Sequence, residues 1–112
     1  MTLLGATGFI GRRLTAALRE RGDEVVTASL RDPAAAARAA TGTDVVVNLA
    51  GAPVAVRWTA ASKNAMRTSR VELPHAFLDE LAKIEPRPQA YVSASAIGYY
   101  GSRGDELLSE SS

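Results

Sequence analysis

The chain has no cysteine and only one histidine among its 112 residues, which excludes several kinds of chemistry. Without cysteine it can form neither a disulfide nor a thiolate metal site, and it has no cysteine nucleophile. With one histidine and no cluster of acidic residues, we expect no metal centre. The chain also lacks an apolar run of the ~18 residues that a membrane-spanning helix needs. These absences favour a cytoplasmic protein with no metal and no membrane partner.

The charges are mixed in sign, which argues against a further class of partner. Thirteen basic and twelve acidic residues give a formal net charge of +1. A surface that binds nucleic acid or a membrane electrostatically would be expected to concentrate basic residues. The hydrophobic fraction of 46% is that of an ordinary globular protein. By its length, the chain from 1 to 112 forms one domain.

The chain is organised around a glycine-rich segment near its start, Gly5-Ala6-Thr7-Gly8-Phe9-Ile10-Gly11. The segment follows a short apolar run and opens a stretch with helical spacing, and this context indicates a phosphate-binding turn. Gly5 permits the tight turn, Gly8 lets a pyrophosphate approach the backbone, and Gly11 lets the helix pack closely. The helix N-terminus adds unpaired N–H groups and a partial positive charge. The residues that we predict to bind a dinucleotide here are Gly5, Thr7, Gly8, Phe9, Ile10 and Gly11, and the alternative is a glycine-rich turn without a ligand.

Strands and helices are predicted to alternate along the chain. The expected strands cover residues 2–4, 23–30, 44–50 and 89–95, and the expected helices cover residues 9–21, 33–42 and 59–84. The second helix is rich in alanine and has little bulk to bury, so we expect it to be short and exposed. Pro74 removes one backbone donor inside the third helix, where we expect a kink or a break.

This alternation predicts an α/β fold with a Rossmann-type parallel sheet, strand order 3-2-1-4 and flanking helices. A doubly wound nucleotide-binding domain normally has about six strands, whereas this chain provides four. We therefore expect the chain to be the N-terminal part of a longer protein, cut off after the fourth strand.

Five segments, taken together, resemble a known family. They are the glycine-rich segment, Asn48–Gly51, Arg57–Thr59, Ser69–Val71 and Ser93–Gly101, in that order. On these segments the chain resembles the epimerase-like proteins of the extended or atypical short-chain dehydrogenase/reductase superfamily, which include NAD-dependent epimerase/dehydratase and nucleoside-diphosphate-sugar epimerase-like proteins. The resemblance spans essentially the whole chain and implies the cofactor-binding, N-terminal half of such a protein.

Two further segments complete the predicted cofactor site. Arg31, after the second strand, could pair with the 2′-phosphate of NADP, whereas an acidic residue there, such as the adjacent Asp32, would hold the ribose hydroxyls of NAD. Arg31 could also be a solvated loop residue. Leu49, Ala50 and Gly51 lie at the carboxyl edge of the sheet, where ligands bind in open α/β sheets. We predict NADP as the cofactor, with NAD as the alternative.

Ser95 is the predicted catalytic residue, orienting a substrate carbonyl or hydroxyl near the nicotinamide. Ser93 points to the same face of the strand and is the alternative. The superfamily's Tyr-x-x-x-Lys pair is absent, because Tyr91, Tyr99 and Tyr100 are followed four residues later by Ser95, Arg103 and Gly104. Without that pair neither serine can complete proton transfer, so we expect the chain to be inactive alone.

The resemblance implies the NADP(H)-binding portion of an epimerase-like oxidoreductase that acts on a sugar nucleotide or another small alcohol or ketone. The alternatives are a non-catalytic, dinucleotide-sensing module and a truncated fragment without independent activity. The expected partners are a dinucleotide, a small-molecule substrate of unknown identity and, through the long helix at 59–84, a second copy of the chain.

Overall fold

The computed structural model describes residues 1–112, except for the side chain of Ile97. Four strands, each close to its predicted place, form one parallel sheet: β1 (Thr2–Leu4), β2 (Val26–Ala28), β3 (Val45–Asn48) and β4 (Ala90–Ser93). The predicted α/β fold with a parallel sheet is confirmed. The strand order, however, is β2-β1-β3-β4, so the predicted order 3-2-1-4 is wrong.

Burial explains the observed order. Every residue of β1 is buried, so β1 needs a neighbour on each side, whereas two of the three residues of β2 are exposed and suit an edge. The apolar β3 supplies the second neighbour, with Thr2 opposite Val46 and Leu4 opposite Asn48. The chain therefore reverses its direction across the sheet after β2. This reversal creates a switch point between the carboxyl ends of β1 and β3, the position at which open α/β sheets bind ligands.

The helices cover the two faces of the sheet unequally. They are α1 (Phe9–Glu20), α2 (Pro33–Ala39), α3 (Ala60–Arg67) and α4 (Leu73–Leu81), with a π-helical turn at Thr68–Glu72 and a 3-10 turn at Ile97–Tyr100. α1 packs on β1, whereas α2 and α4 pack against each other. Because right-handed crossovers that run in opposite directions place their helices on opposite faces, α1 lies on one face and α2 and α4 lie on the other.

The core lies between the sheet and the pair α2–α4. Phe77 and Leu81 of α4 pack with Leu4 and Val46 of the sheet. Three alanines of the second helix segment also belong to this core, Ala36, Ala37 and Ala40. The expectation of an exposed second helix is therefore wrong. Small side chains allow two helices to approach closely, and here they place α2 directly against α4.

The long helix predicted at 59–84 is interrupted, as expected from Pro74. Thr59 caps α3 by accepting from the backbone N–H of Ser62, and the Ser62 hydroxyl accepts from the N–H of Thr59 in return. The π-helical turn separates α3 from α4 just before Pro74. Since proline cannot donate to the carbonyl four residues earlier, the backbone widens at this point. Among the described residues, the structure has no helix long and apolar enough to cross a membrane.

Candidate functional site

The glycine-rich segment forms the turn from β1 into α1, as predicted. Gly5 has a φ of +80°, a conformation that other residues rarely adopt. A β-carbon on Gly5 would also lie 2.7 Å from the nitrogen of Ala50 and 2.8 Å from the oxygen of Leu49. Gly5 therefore meets two requirements, because it makes the turn and lets the end of β3 pass directly beside it.

Gly8 and Gly11 have different surroundings. Gly11 is buried, and a β-carbon there would overlap the carbonyl oxygen of Gly5. Gly8 is the N-cap of α1, is exposed, and would place a β-carbon 3.3 Å from that same oxygen. The first intrahelical bond runs from the N–H of Arg12 to the carbonyl of Gly8. The N–H groups of the first helical residues, Phe9 to Gly11, therefore have no acceptor within the helix and can bind an anion.

A cleft of about 730 Å³ opens above the carboxyl ends of β1, β2 and β3. Its walls come from the glycine-rich turn, the end of β2, the loop after β3, and the junction of α3 with α4. Seven of the predicted site residues line it: Gly5, Thr7, Gly8, Arg31, Leu49, Ala50 and Gly51. The cleft is also lined by residues that sequence reasoning did not assign to a site, namely Ala6, Thr27, Ala28, Ser29, Leu30, Ala52, Pro53, Ala65, Thr68, Ser69 and Leu73.

The other predicted residues are placed differently. The side chains of Phe9 and Ile10 are 75% and 62% exposed and do not line the cleft, and Gly11 lies beneath the turn. Ser95 follows β4, is exposed, and does not line the cleft. Ser93 is paired with Asn48 at the end of β4. The structure thus brings seven of the predicted dinucleotide residues, from three strand ends, together in one cleft, and leaves the predicted serine outside its lining, after the fourth strand.

Arg31 and Asp32 have separate roles at the end of β2. The carboxylate of Asp32 accepts a 3.0 Å hydrogen bond from the N–H of Ala35, so it caps α2. Arg31 lines the cleft and is exposed, and its backbone N–H donates to the hydroxyl of Ser29 at 3.3 Å. Arg31 is therefore the residue of this pair that lines the cleft, whereas the carboxylate of Asp32 is engaged in capping α2.

Asn48 belongs to the segment Asn48–Gly51 singled out in the sequence, but it was not among the predicted binding residues. Its side chain is nearly buried, at 5% exposure, and bonds on both sides. Its amide nitrogen donates to the hydroxyl of Tyr91 at 2.8 Å, and its amide oxygen accepts from the N–H of Ala50 at 3.0 Å. This pairing ties the turn after β3 to β4. The signal in the sequence that could have indicated this role is a polar residue at the end of an apolar strand, because a buried polar side chain needs hydrogen-bond partners.

The side chains with shifted pKa values lie near the amino ends of the strands, opposite the cleft. A hydrogen bond from Arg21 lowers the pKa of Asp23, and the same bond raises the pKa of Arg21. A hydrogen bond to Glu80 raises the pKa of Lys83. Arg21, Asp23 and Lys83 precede strands β2 and β4, whereas the cleft lies where the strands end. These shifts therefore belong to surface ion pairs and have no part in the chemistry of the cleft.

Comparison with known proteins gives consistent results. The model of the NAD dependent epimerase/dehydratase family matches residues 1–112. The chloroplastic homolog of epimerase family protein SDR39U1 from Arabidopsis thaliana is 30% identical over the whole chain, and epimerase family protein YfhF from Bacillus subtilis is 28% identical. The chain spans only about two fifths of these relatives, 38% and 42% of their lengths.

Two solved structures share the fold. The human epimerase family protein SDR39U1 (isoform 2), solved with NADPH, superposes with a TM-score of 0.74 at 30% identity, over 89% of this chain and 38% of that one. A short-chain dehydrogenase/reductase superfamily protein from Agrobacterium tumefaciens, solved with bound NAD, gives a TM-score of 0.73 at 26% identity, over 95% of this chain and 35% of that one. Because the family model matches residues 1–112, the whole of this chain, the chain belongs to the NAD dependent epimerase/dehydratase family.

Proposed function

We propose that the cleft binds NADP(H), as the dinucleotide-binding portion of an epimerase-like oxidoreductase that acts on a sugar nucleotide or another small alcohol or ketone. One observation carries the proposal. The glycine-rich turn, Arg31 and the turn at Leu49–Gly51 converge on one cleft at the switch point of the sheet. Open α/β sheets bind their ligands at this position.

The residues of the cleft fit such a group. Its volume of about 730 Å³ is within the usual range for ligand sites, about 300–1,000 Å³. Gly8 has no β-carbon and stands where α1 begins, so a pyrophosphate could lie against the backbone and the positive end of the helix. We expect Arg31 to pair with a 2′-phosphate, because it lines the cleft and the carboxylate of the adjacent Asp32 is engaged in capping α2. The human relative solved with NADPH supports this choice.

The chemistry that the dinucleotide supplies when bound is hydride transfer, and the chain's own residues position the reactants. We assign Ser95 the role of orienting a substrate hydroxyl or carbonyl, because it follows β4 at the same edge of the sheet as the cleft. The identity of that substrate and the formation of a homodimer stay predictions.

A second candidate function is a non-catalytic module that senses the dinucleotide. The observation that favours it is the position of Ser95 outside the cleft lining, whereas a Tyr-x-x-x-Lys pair in a longer form of the protein would favour the enzyme. Turnover of an alcohol or ketone with NADP(H) by the chain would exclude this second candidate. Binding of the dinucleotide with no turnover would fit both candidates, because the chain is expected to be inactive alone.

Titration with NADPH and NADH, followed by ligand fluorescence, tests the proposed binding. We compare the unsubstituted chain with Gly8→Val and with Ala17→Val, which adds bulk to an exposed position of the same helix. We expect saturable binding of NADPH, a rise in Kd of more than about tenfold in Gly8→Val, and no change in Ala17→Val. If the folded, unsubstituted chain binds neither cofactor, or if Gly8→Val binds as well as it does, the proposal is wrong.

A further inference from the structure

The loop that follows β3 forms one wall of the cleft, yet its backbone has little support of its own. Gly51, Ala52 and Pro53 all line the cleft and belong to no strand or helix. Among the described residues, these three make no backbone–backbone hydrogen bond. A loop without such bonds would be expected to move, unless side chains hold it.

Two adjacent side chains hold Ala52 by both of its backbone polar groups. The hydroxyl of Ser69 accepts from the N–H of Ala52 at 2.9 Å, and Nη1 of Arg70 donates to the carbonyl of Ala52 at 2.9 Å. The hydroxyl of Ser69 in turn donates to the carbonyl of Met66 at 3.0 Å. Its proton is thereby directed away from the loop, which leaves a lone pair facing the N–H of Ala52.

The π-helical turn explains how neighbouring residues can reach the same target. In a regular α-helix, residues i and i+1 do not face each other on the helix surface. Ser69 and Arg70 both lie in the widened turn Thr68–Glu72, and both contact Ala52. Such turns inside α-helices frequently occur at functional sites.

Gly51 makes room for this arrangement. A β-carbon on Gly51 would lie 2.8 Å from Nη2 and 2.9 Å from Cζ of Arg70, so the guanidinium lies directly over this glycine. The backbone of Gly51 does not require glycine, because its φ lies outside the left-handed region. An alanine at this position would therefore displace the flexible end of Arg70 and leave the loop backbone otherwise permitted.

We infer that Ser69 and Arg70 are positioning residues of the dinucleotide site, which hold the wall Gly51–Pro53 in its binding conformation through Ala52. This inference rests on the proposed function. The wall follows Leu49 and Ala50, which pass beside Gly5 of the turn proposed to hold the pyrophosphate, a group that NADPH and NADH share. Arg31, by contrast, is the residue proposed to bind the 2′-phosphate, by which the two cofactors differ. Loss of the two side chains therefore raises the Kd of NADPH and the Kd of NADH by the same factor and leaves the preference between the two cofactors unchanged.

The first test measures the Kd of NADPH and of NADH for Ser69→Ala, Arg70→Ala and Gly51→Ala. Each variant is expected to raise both Kd values about fivefold at an unchanged ratio, and Arg70→Lys is expected to recover part of the loss through one donor. The matched control is Arg67→Ala, because Arg67 lies on the neighbouring turn and pairs with Glu72 rather than with the loop. Unchanged Kd values in the three variants, or an equal effect in the control, would overturn the inference.

A double-mutant cycle makes the test more specific. Gly51→Ala acts by moving Arg70, so adding it to Arg70→Ala is expected to cause no further rise in Kd. Additive effects of the two substitutions would show that Gly51 matters for another reason and would contradict the inference. Gly51→Ala also keeps both side chains, so a failure of Ser69→Ala to fold would not remove the test.

Amide hydrogen exchange without any ligand separates this inference from the proposed function. In Ser69→Ala the amide of Ala52 loses its acceptor and is expected to exchange at least about tenfold faster, while the amide of Leu49, bonded to Leu4, keeps its rate. An unchanged rate at Ala52 refutes the clamp itself. If exchange accelerates but the unsubstituted chain binds no cofactor, the proposed function fails and the positioning role fails with it. If the unsubstituted chain binds and the variants bind equally well, only the inference fails.

Discussion

Two glycines of the glycine-rich turn lack a β-carbon for different reasons, one for folding and the other for binding. Gly11 is buried, and any side chain there would strike the carbonyl of Gly5, which is backbone and cannot move aside cheaply. Gly8 is exposed, and a methyl group added to it would lie 3.3 Å from the same carbonyl oxygen, a contact that a small shift relieves. One glycine is therefore needed for packing, and the other keeps open the space above the helix N-terminus.

Gly11→Ala is expected to lower the free energy of unfolding by about 1–3 kcal/mol, because the added methyl group overpacks the contact between α1 and the turn. Gly8→Ala is expected to change it by less than about 1 kcal/mol, because the added methyl group would lie 3.3 Å from that carbonyl and alanine replaces glycine only as an N-cap. Urea denaturation followed by circular dichroism measures both values. An equal loss in the two variants would contradict the assignment of separate roles.

Arg31 is the residue on which we expect the choice between cofactors to depend. Arg31→Ala should raise the Kd of NADPH about tenfold or more, because a charge-assisted bond to the 2′-phosphate is lost, and should leave the Kd of NADH unchanged. Arg38→Ala, which removes an exposed arginine at the end of α2, is the control. The measurement is the ratio of the two Kd values. An equal rise of both Kd values in Arg31→Ala would show that Arg31 does not bind the 2′-phosphate.

At the scale of elements, the pair α2–α4 is the packing unit that supports the site. The alanines of α2 lie against Phe77 and Leu81, and the N-cap of the same helix, Asp32, follows Arg31 directly. Tyr91 joins this unit from the sheet, since its ring lies 6.3 Å from that of Phe77 and its hydroxyl accepts from Asn48. The placement of Arg31 and of the turn after β3 therefore depends on how closely α2 and α4 pack.

Ala36→Leu is expected to lower the free energy of unfolding by about 1–3 kcal/mol, because Ala36 is buried in the core with Phe77 and Leu81 and the larger side chain would overpack it. Ala35→Leu, at a partly exposed position of the same helix, is expected to change it by less than about 0.5 kcal/mol. Thermal and urea unfolding of both variants test this expectation. A neutral Ala36→Leu would mean that α2 does not pack as the structure has it.

At the scale of the whole molecule, the chain is extended rather than spherical. Its radius of gyration is 15.6 Å, whereas a compact domain of 100 residues has about 13 Å. Residues 101–112 are exposed throughout, and the face of the sheet that bears α1 is covered least near β4. Val92 alternates with the core-facing Tyr91, so it points to that face, and it is 52% exposed.

The edge strand β4 and Val92 together are expected to cause concentration-dependent self-association, because an unpaired edge with apolar side chains is a template for pairing. Val92→Lys should lower the associated fraction and change the free energy of unfolding by less than about 0.5 kcal/mol. Val56→Lys, in an exposed loop, should have no effect on association. Sedimentation velocity over a range of concentrations measures this. A monomeric, unsubstituted protein at every concentration would contradict the prediction.

Much of the local structure could be predicted from the sequence, because it depends on neighbouring residues. The turn at Gly5–Gly11 requires small residues at short spacing, and the caps Asp32 and Thr59 act on N–H groups three residues away. The break before Pro74 follows from one missing donor. The apolar runs also located all four strands, although only β1 is buried throughout.

Tertiary structure alone decided which distant segments meet. The place of β3 beside β1 depends on which strand needs a second neighbour, and a strand's own residues do not record that partner. Alanines show no bulk in the sequence, so the burial of α2 appears only when α4 is present. The contacts of Asn48 with Tyr91 and of Arg70 with Ala52 join residues 43 and 18 positions apart. The sequence by itself determined the glycine-rich turn and the parallel α/β fold, whereas the walls of the cleft were decided by long-range packing, because a side chain can hold a loop only after the fold has brought the two together.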